Sequence, residues 1–356
     1  MTPDLDTAKE LVKGKFACVQ TAPSIRTALG EAFGMKPGEN VEGKLVAALH
    51  LLGFKRVFET DFGAELRVME ESTELKERLE SEENLPMMTS CCPSWTGICV
   101  KMYPDIIPHL STCKSPMEMV SSFAKDYLTY ERKFGDISMT AVMPCFAKKM
   151  EVKHGQTDVV ITAMELAQWM KEEGINLADL KDGFYDTPFG MTSSAGTIYA
   201  STGGVMEATL RTFLAKYSNV CPSEHLYEEK IIGDGIREKR IKLGEWDLKV
   251  AMIEGPNGIH KFCKDLRDGK NKDYQMVEIM FCRGGCVGGP GMPNAGQDEF
   301  ISKRIHALRQ YDDNSVLLTA HENPFIQEIY KNYLGKPYGK KSKEVLHVKD
   351  FNVMFG

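Results

Sequence analysis

Short apolar, β-rich runs alternate along this chain with longer stretches of helical periodicity, and that alternation limits the possible folds more than any other feature. The strand candidates are residues 16–20, 139–143, 159–162, 249–253 and 276–280. Apolar residues recur at a helical period over 24–33, 41–54, 65–79, 116–134, 165–173, 204–217, 258–268, 300–311 and 324–334. Strands alternating with helices predict an α/β fold built on largely parallel sheets. No internal repeat or low-complexity linker divides the 356 residues, and at 42% hydrophobic content they can bury one large core or two lobes.

Charge and termini exclude several classes. A formal charge of −6 leaves no basic footprint for nucleic acid. The short basic runs Arg237-Glu238-Lys239-Arg240 and Lys340-Lys341-Ser342-Lys343 read as solvated loops. Met1-Thr2-Pro3-Asp4-Leu5-Asp6 has neither the basic start nor the apolar middle of a signal peptide, and no stretch approaches the roughly 18 uncharged apolar residues of a membrane span. A cytoplasmic protein without a membrane partner is the expectation. Its ten cysteines are then thiols or metal ligands rather than disulfides.

Four of those cysteines stand out: Cys92 in Thr89-Ser90-Cys91-Cys92-Pro93, Cys145 in Met143-Pro144-Cys145, and Cys282 with Cys286 in Phe281-Cys282-Arg283-Gly284-Gly285-Cys286. Cys145 and Cys282 each follow a predicted strand where the chain turns, which is where α/β folds place ligands. Met143 and Met280 precede them at the same offset; each alone is core packing, and together they offer a soft wall to a cofactor. Cys282 and Cys286 are one helical turn apart. Gly284, Gly285, Gly288, Gly289 and Gly291 permit close backbone approach and offer N–H donors to an anionic cluster. In extended backbone Cys91 and Cys92 point to opposite sides, so the two differ in role.

Four thiolates from three segments are what a buried iron–sulfur cluster needs. Structural zinc favours paired short-spaced knuckles, and only one close pair exists here. A haem Cys-x-x-Cys-His and a dinucleotide Gly-x-Gly-x-x-Gly are both missing from the sequence. Read alone, Lys148 is a surface lysine and Glu74–Arg78 a solvated i,i+4 pair on the helix that also carries Glu71. The other cysteines, Cys18, Cys99, Cys113, Cys221 and Cys263, read as buried structural thiols.

Together the three segments resemble the signature motifs of the [FeFe] hydrogenases. The family patterns Thr-Ser-Cys-Cys-Pro, Met-Pro-Cys-x-x-Lys-x-x-Glu and Glu-x-Met-x-Cys-x-x-x-Cys match at residues 89–93, 143–151 and 278–286, and the likeness continues through 21–26, 111–116, 202–208 and 334–337. The resemblance implies two α/β lobes, each a twisted, mostly parallel sheet flanked by helices, with the cluster between them. It implies an H-cluster: a [4Fe–4S] cluster on Cys92, Cys145, Cys282 and Cys286, with Cys286 bridging to a two-iron subcluster that carries CO, cyanide and azadithiolate ligands. Lys148 would donate to a cyanide, Ala22, Pro23, Ser24 and Ser115 would line the same pocket, and Met143 and Met280 would pack around the two irons. A proton path would run through Cys91, Glu71, Ser111, Glu74 and Arg78.

The activity implied is reversible conversion of two protons and two electrons to H2, with ferredoxin or a similar one-electron carrier and cluster maturation proteins as partners. No Cys-x-x-Cys-x-x-Cys run precedes Thr21, so 1–356 is expected to be a single catalytic domain without an accessory iron–sulfur domain, either a minimal hydrogenase or the catalytic piece of something longer whose electrons come from another domain or subunit. Met117 stands where the family often has glutamine, and 189–196 departs from its Ser-Gly-Ala-Gly, which bears on rate, bias and oxygen tolerance. Two other readings are a low-turnover sensory hydrogenase, which often lacks the relay cysteine, and a hydrogenase-like iron–sulfur assembly protein, which keeps only the cube.

Overall fold

Among the described residues of this computed structural model, nine strands, β1 (Phe16–Thr21), β2 (Arg56–Glu59), β3 (Met87–Met88), β4 (Ile137–Met143), β5 (Val159–Thr162), β6 (Lys230–Gly233), β7 (Ile236–Leu243), β8 (Trp246–Glu254) and β9 (Met276–Met280), form two sheets. The structure describes residues 2–14, 16–130, 135–218, 230–243 and 246–356. The first sheet has the order β2-β1-β4-β5 and is parallel throughout. The second has the order β3-β9-β8-β7-β6; it is parallel from β3 to β8 and antiparallel beyond. All five predicted strands are present. The second sheet is more mixed than expected because a hairpin joins β6 to β7, turning at Gly235 with φ +69°. The run 237–240 lies inside β7 instead of a loop, and Lys239 is buried.

The helices are α1 (Pro3–Gly14), α2 (Glu42–Leu51), α3 (Thr60–Ser81), α4 (Pro93–Met102), α5 (Pro116–Tyr130), α6 (Lys149–Val152), α7 (Ala163–Glu172), α8 (Ser194–Ile198), α9 (Gly204–Ser218), α10 (Gly255–Arg267), α11 (Asp298–Asp313), α12 (Pro324–Ile329), α13 (Lys340–Leu346) and α14 (Phe351–Phe355). Alternate residues of β1 face opposite layers: Ala17 and Val19 pack with Leu5 of α1, Leu45 of α2 and Trp169 of α7, while Cys18 packs with Phe62 of α3 and Phe123 of α5. In the second sheet, Val277 and Ile279 join Trp95 of α4 and Phe262 of α10, and Met276 joins Phe213 of α9. Strands covered on both faces are mostly apolar, and β1, β4 and β9 read that way and are buried almost throughout, with Gln20, Thr140 and Glu278 among their buried polar exceptions.

Helix α3 belongs to both layers. Its Phe62 and Leu66 pack with the first sheet, and its Leu75 packs with the second. Covered almost all round, it buries Glu65, Arg67, Glu70, Glu71 and Glu74 as well. Residues 24–33 form two 3₁₀ turns, Ile25–Thr27 and Leu29–Phe33, not the expected helix. Arg26 explains this: its buried guanidinium is anchored by Glu42, Glu59 and Asp61 at 2.7–3.0 Å, and these tertiary contacts override local propensity. The run 340–343 lies on α13, with Ser342 buried, rather than in a loop. The expected helix at 324–334 is α12 followed by a π turn, Tyr330–Leu334. Cys221 and positions 131–134 lie outside the described residues. Cys18, Cys99, Cys113 and Cys263 are buried free thiols. Among the described residues, no helix is long and apolar enough to cross a membrane.

Candidate metal centre

Four segments leave the carboxyl ends of parallel strands and converge. Ala22, Pro23 and Ser24 follow β1, Cys91 and Cys92 follow β3, Cys145 follows β4, and Cys282 and Cys286 follow β9. Open α/β sheets leave a crevice at this end because the chain turns away to its crossover helices. The residues line a cavity of about 780 Å³, part of it open to solvent, whose walls also include Met117, Met143, Lys148, Tyr199 and Met280.

Local backbone sets each thiol. Cys92 is the extended N-cap of α4, with Pro93 in the first turn, where its missing N–H costs nothing. That extended step separates the two neighbours. Both line the cavity, but Cys91 is also close enough to Arg67 and Glu71 to be perturbed by them, whereas Cys92 perturbs Cys145, Cys282 and Cys286. Cys282 and Cys286 do not share an α-helical turn. Gly284 and Gly285 have φ of +74° and +82°, and a 3₁₀ turn over Gly285–Gly288 carries Cys286 back to the cavity.

The glycines act through shape. A Cβ on Gly289 would stand 2.4 Å from the Pro144 carbonyl oxygen, so only glycine lets the β9 loop seat against the β4 loop. The expected free N–H donors are largely spoken for. Gly284 N donates to Glu254 Oε2 (2.9 Å), Gly285 N to the Cys282 carbonyl (3.1 Å), Gly289 N to the Cys286 carbonyl (3.0 Å) and Gly291 N to the Pro144 carbonyl (2.8 Å).

The donor set fits a cluster better than a single ion. No three of the four sulfurs lie within 4.8 Å of one another, whereas a zinc tetrahedron with a Zn–S length near 2.3 Å has edges of about 3.8 Å. Burial, reinforced by the neighbouring sulfurs, pushes Cys145 up to about 11 and Cys282 to about 12, and holds Cys286 well above the ordinary thiol range. Such thiols ionise only when a cation joins them, and iron supplies that charge. Two buried hydroxyls on the cavity wall, Ser24 Oγ and Tyr199 OH, have no hydrogen-bond partner among the described residues, which leaves them for an occupant.

Lys148 is buried, not on the surface. Its Nζ donates to the Cys91 carbonyl (3.0 Å) and to Glu151 Oε1 (2.9 Å). Burial works against its charge, but the Glu151 carboxylate outweighs it and holds the ammonium above its ordinary range. Ser115 stands off the cavity wall and gives its hydroxyl to Glu151 Oε2 (2.5 Å).

Glu71, Glu74 and Arg78 follow one another along α3, and none of them is a solvated surface group. Arg78 donates to Glu74 Oε1 (2.7 Å) with Glu74 fully buried, and Ser111 Oγ donates to Glu74 Oε2 (3.0 Å). Arg67, one turn before Glu71, escaped the sequence reading. It donates to Glu71 Oε1 (2.8 Å), Ser90 Oγ (3.1 Å) and the Cys113 carbonyl (2.9 Å), tying the column to the loop that carries Cys91. Its i,i+4 spacing to Glu71 is the same signal that drew attention to Glu74 and Arg78.

Residues 15–290 match the family described as "Iron only hydrogenase large subunit, C-terminal domain", and residues 298–349 match "Iron hydrogenase small subunit". The chain is 37% identical over 356 residues to "NADP-reducing hydrogenase subunit HndD" of Solidesulfovibrio fructosivorans; the match covers 95% of this chain and 60% of that longer protein. A solved structure of the [FeFe]-hydrogenase HydA1 from Chlamydomonas reinhardtii superposes with a TM-score of 0.86 at 34% identity, covering 98% of both chains. The chain is also 26% identical to "Cytosolic Fe-S cluster assembly factor narfl" of Danio rerio, covering 94% of this chain and 86% of that one. The larger family match takes in both sheets and all three cysteine segments, and the chain therefore belongs to the iron-only hydrogenase family, an iron–sulfur family of oxidoreductases.

Proposed function

We propose that this chain is a hydrogenase that interconverts two protons and two electrons with H2, residues 1–356 acting as one catalytic domain. One juxtaposition carries the reading: the four-thiol crevice and a buried column of proton-carrying side chains meet at Cys91. Cys92, Cys145, Cys282 and Cys286 would hold a [4Fe–4S] cluster, and Cys286 would also link it to a two-iron subcluster bearing CO, cyanide and azadithiolate. When bound, the paired clusters supply stored electrons and the metal at which H2 is made or split.

The protein's part is positional. Lys148, kept charged by Glu151, offers N–H donors to cyanide, and Ser115 fixes Glu151 from behind. Ser24 gives the occupant a hydroxyl, while Ala22, Pro23, Met143 and Met280 exclude water. Cys91 exchanges protons with the occupant and with the column of Glu71, Ser111, Glu74 and Arg78. A ferredoxin or similar one-electron carrier delivers the electrons, and maturation proteins install the two irons. The test is anaerobic loading followed by infrared spectroscopy and H2 evolution with a strong reductant. CO and cyanide bands with turnover are expected; a loaded, spectroscopically normal cluster that makes no H2 sinks the reading.

The match to the Danio rerio assembly factor favours a second reading, an assembly protein that keeps the cube alone. It gives no CO or cyanide bands after loading. A low-turnover sensory hydrogenase gives the bands with little H2, and the presence of Cys91 speaks against it.

A further inference from the structure

Glu254 ends β8 beside Met280, the last residue of β9, and is also the N-cap of α10. A polar side chain at an N-cap ordinarily accepts from the free N–H groups of the helix's first turn. Glu254 makes no such bond. Its carboxylate reaches instead to the loop that carries Cys282 and Cys286: Oε2 accepts from Gly284 N at 2.9 Å and from Thr202 Oγ1 at 2.8 Å.

Gly284 lies midway between the two cysteines, two residues from each. The loop around it is seated on the turn that precedes α9. Thr202 N donates to the Gly284 carbonyl (3.2 Å), and Val287 N donates to the Ala200 carbonyl (3.1 Å). The approach is close, since a Cβ on Gly285 would stand 2.7 Å from Thr202 N. With one oxygen Glu254 holds both sides of this seam, so it sets where Gly284 stands and, through it, the two flanking thiols. The bond also engages the Gly284 N–H, which is then not free for a cluster sulfur, and puts a carboxylate beside the loop. Arg283, the loop's own cation, pairs with Asp298 at 3.2 Å. Donors to cluster sulfur raise a reduction potential and nearby negative charge lowers it, so both consequences of Glu254 act in the same direction.

We infer that Glu254 is a positioning residue for the cluster: its carboxylate pins Gly284 to Thr202, which holds Cys282 and Cys286 in register, and its charge keeps the potential of the bound cube lower than a neutral clamp would. The inference rests on the assignment of the four thiols to a cube within the hydrogenase reading, and it involves no step of H2 chemistry.

The experiment uses the full chain carrying its cube. Glu254→Gln keeps the acceptor and removes the charge, so a chelator should strip its iron at a rate within about two-fold of the parent's. At the parent's midpoint, the ratio of reduced to oxidised cube, read by electron paramagnetic resonance in a mediated dithionite titration, should rise about two-fold or more, the effect of one unit charge roughly 10 Å away in water. Glu254→Ala removes the clamp as well and should lose iron about ten-fold or more faster, a loss that glutamine rescues. Thr202→Val, which deletes one arm of the clamp, should speed the loss by a smaller factor. Iron release from Glu254→Ala and Thr202→Val at the parent's rate overturns the pinning, and an unmoved ratio in Glu254→Gln overturns the effect of the charge. A parent whose cube shows both effects, but which gives neither CO and cyanide bands nor H2 after loading, overturns the hydrogenase reading and supports the role of Glu254. A parent with bands and turnover whose Glu254 variants match it in both readouts overturns that role alone.

Discussion

Cys91 and Cys92 are adjacent yet sit in unlike surroundings, and the difference yields a test of their roles. Cys91 lies against Arg67, Glu71 and Lys148, while Cys92 faces the other three ligand candidates. Replacing Cys91 with serine is expected to cut H2 evolution by roughly 10²-fold or more while iron content and infrared bands stay intact. Iron loss in that variant would make Cys91 a ligand instead. Lys148 carries a stability prediction. Its ammonium is paired with a nearly inaccessible Glu151 carboxylate at 2.9 Å, so Lys148→Met leaves a buried charge alone and costs about 3–5 kcal/mol. The denaturant midpoint of the metal-free protein checks it, and an unshifted midpoint contradicts the pairing.

At the scale of elements, the crevice depends on how closely the loop after β9 approaches the loop after β4. A Cβ at Gly289 would meet backbone on two sides, the carbonyls of Pro144 at 2.4 Å and of Cys286 at 3.0 Å, and backbone does not swing aside as a side-chain tip does. Gly289→Ala should therefore spread Cys145 from Cys286. The expected outcome is loss of most cluster iron, by iron count, with the helix and sheet content unchanged by circular dichroism. Full iron occupancy would show that the loops yield. Helix α3 matters as much: Leu66 packs with the first sheet and Leu75 with the second, while Glu71, Glu74 and Arg78 hold the column between them. The sequence shows that this stretch is helical and which residues share a face. It does not show that the face is buried, because the residues that cover it, Ser111, Cys113 and His347, come from distant parts of the chain.

For the molecule as a whole, the buried thiols remote from the crevice set a pH dependence. Burial pushes Cys18, Cys99 and Cys263 up to about 12 from an ordinary 9.0. Between those values the folded chain keeps protons that the unfolded chain has lost, so stability is full below pH 9 and falls as pH rises toward 12. Melting temperatures of the metal-free protein from pH 8 to 11 should decline over that window, and Cys18→Ala should soften the decline; a flat profile would contradict the burial. The sequence by itself determined the α/β class, the strand-end placement of Cys145 and Cys282, and the four ligand candidates, because periodicity and motif spacing are local properties. Only the tertiary structure decided the surroundings of Cys91 and Cys92, that the glycines act by close approach more than as donors, that Glu74–Arg78 is buried, and that Arg67 pairs with Glu71 and His347 packs beside Glu74. Those outcomes depend on partners far apart in the chain, such as Glu70 and His347, which are 277 positions apart, and no periodicity records what will cover a side chain once the chain has folded.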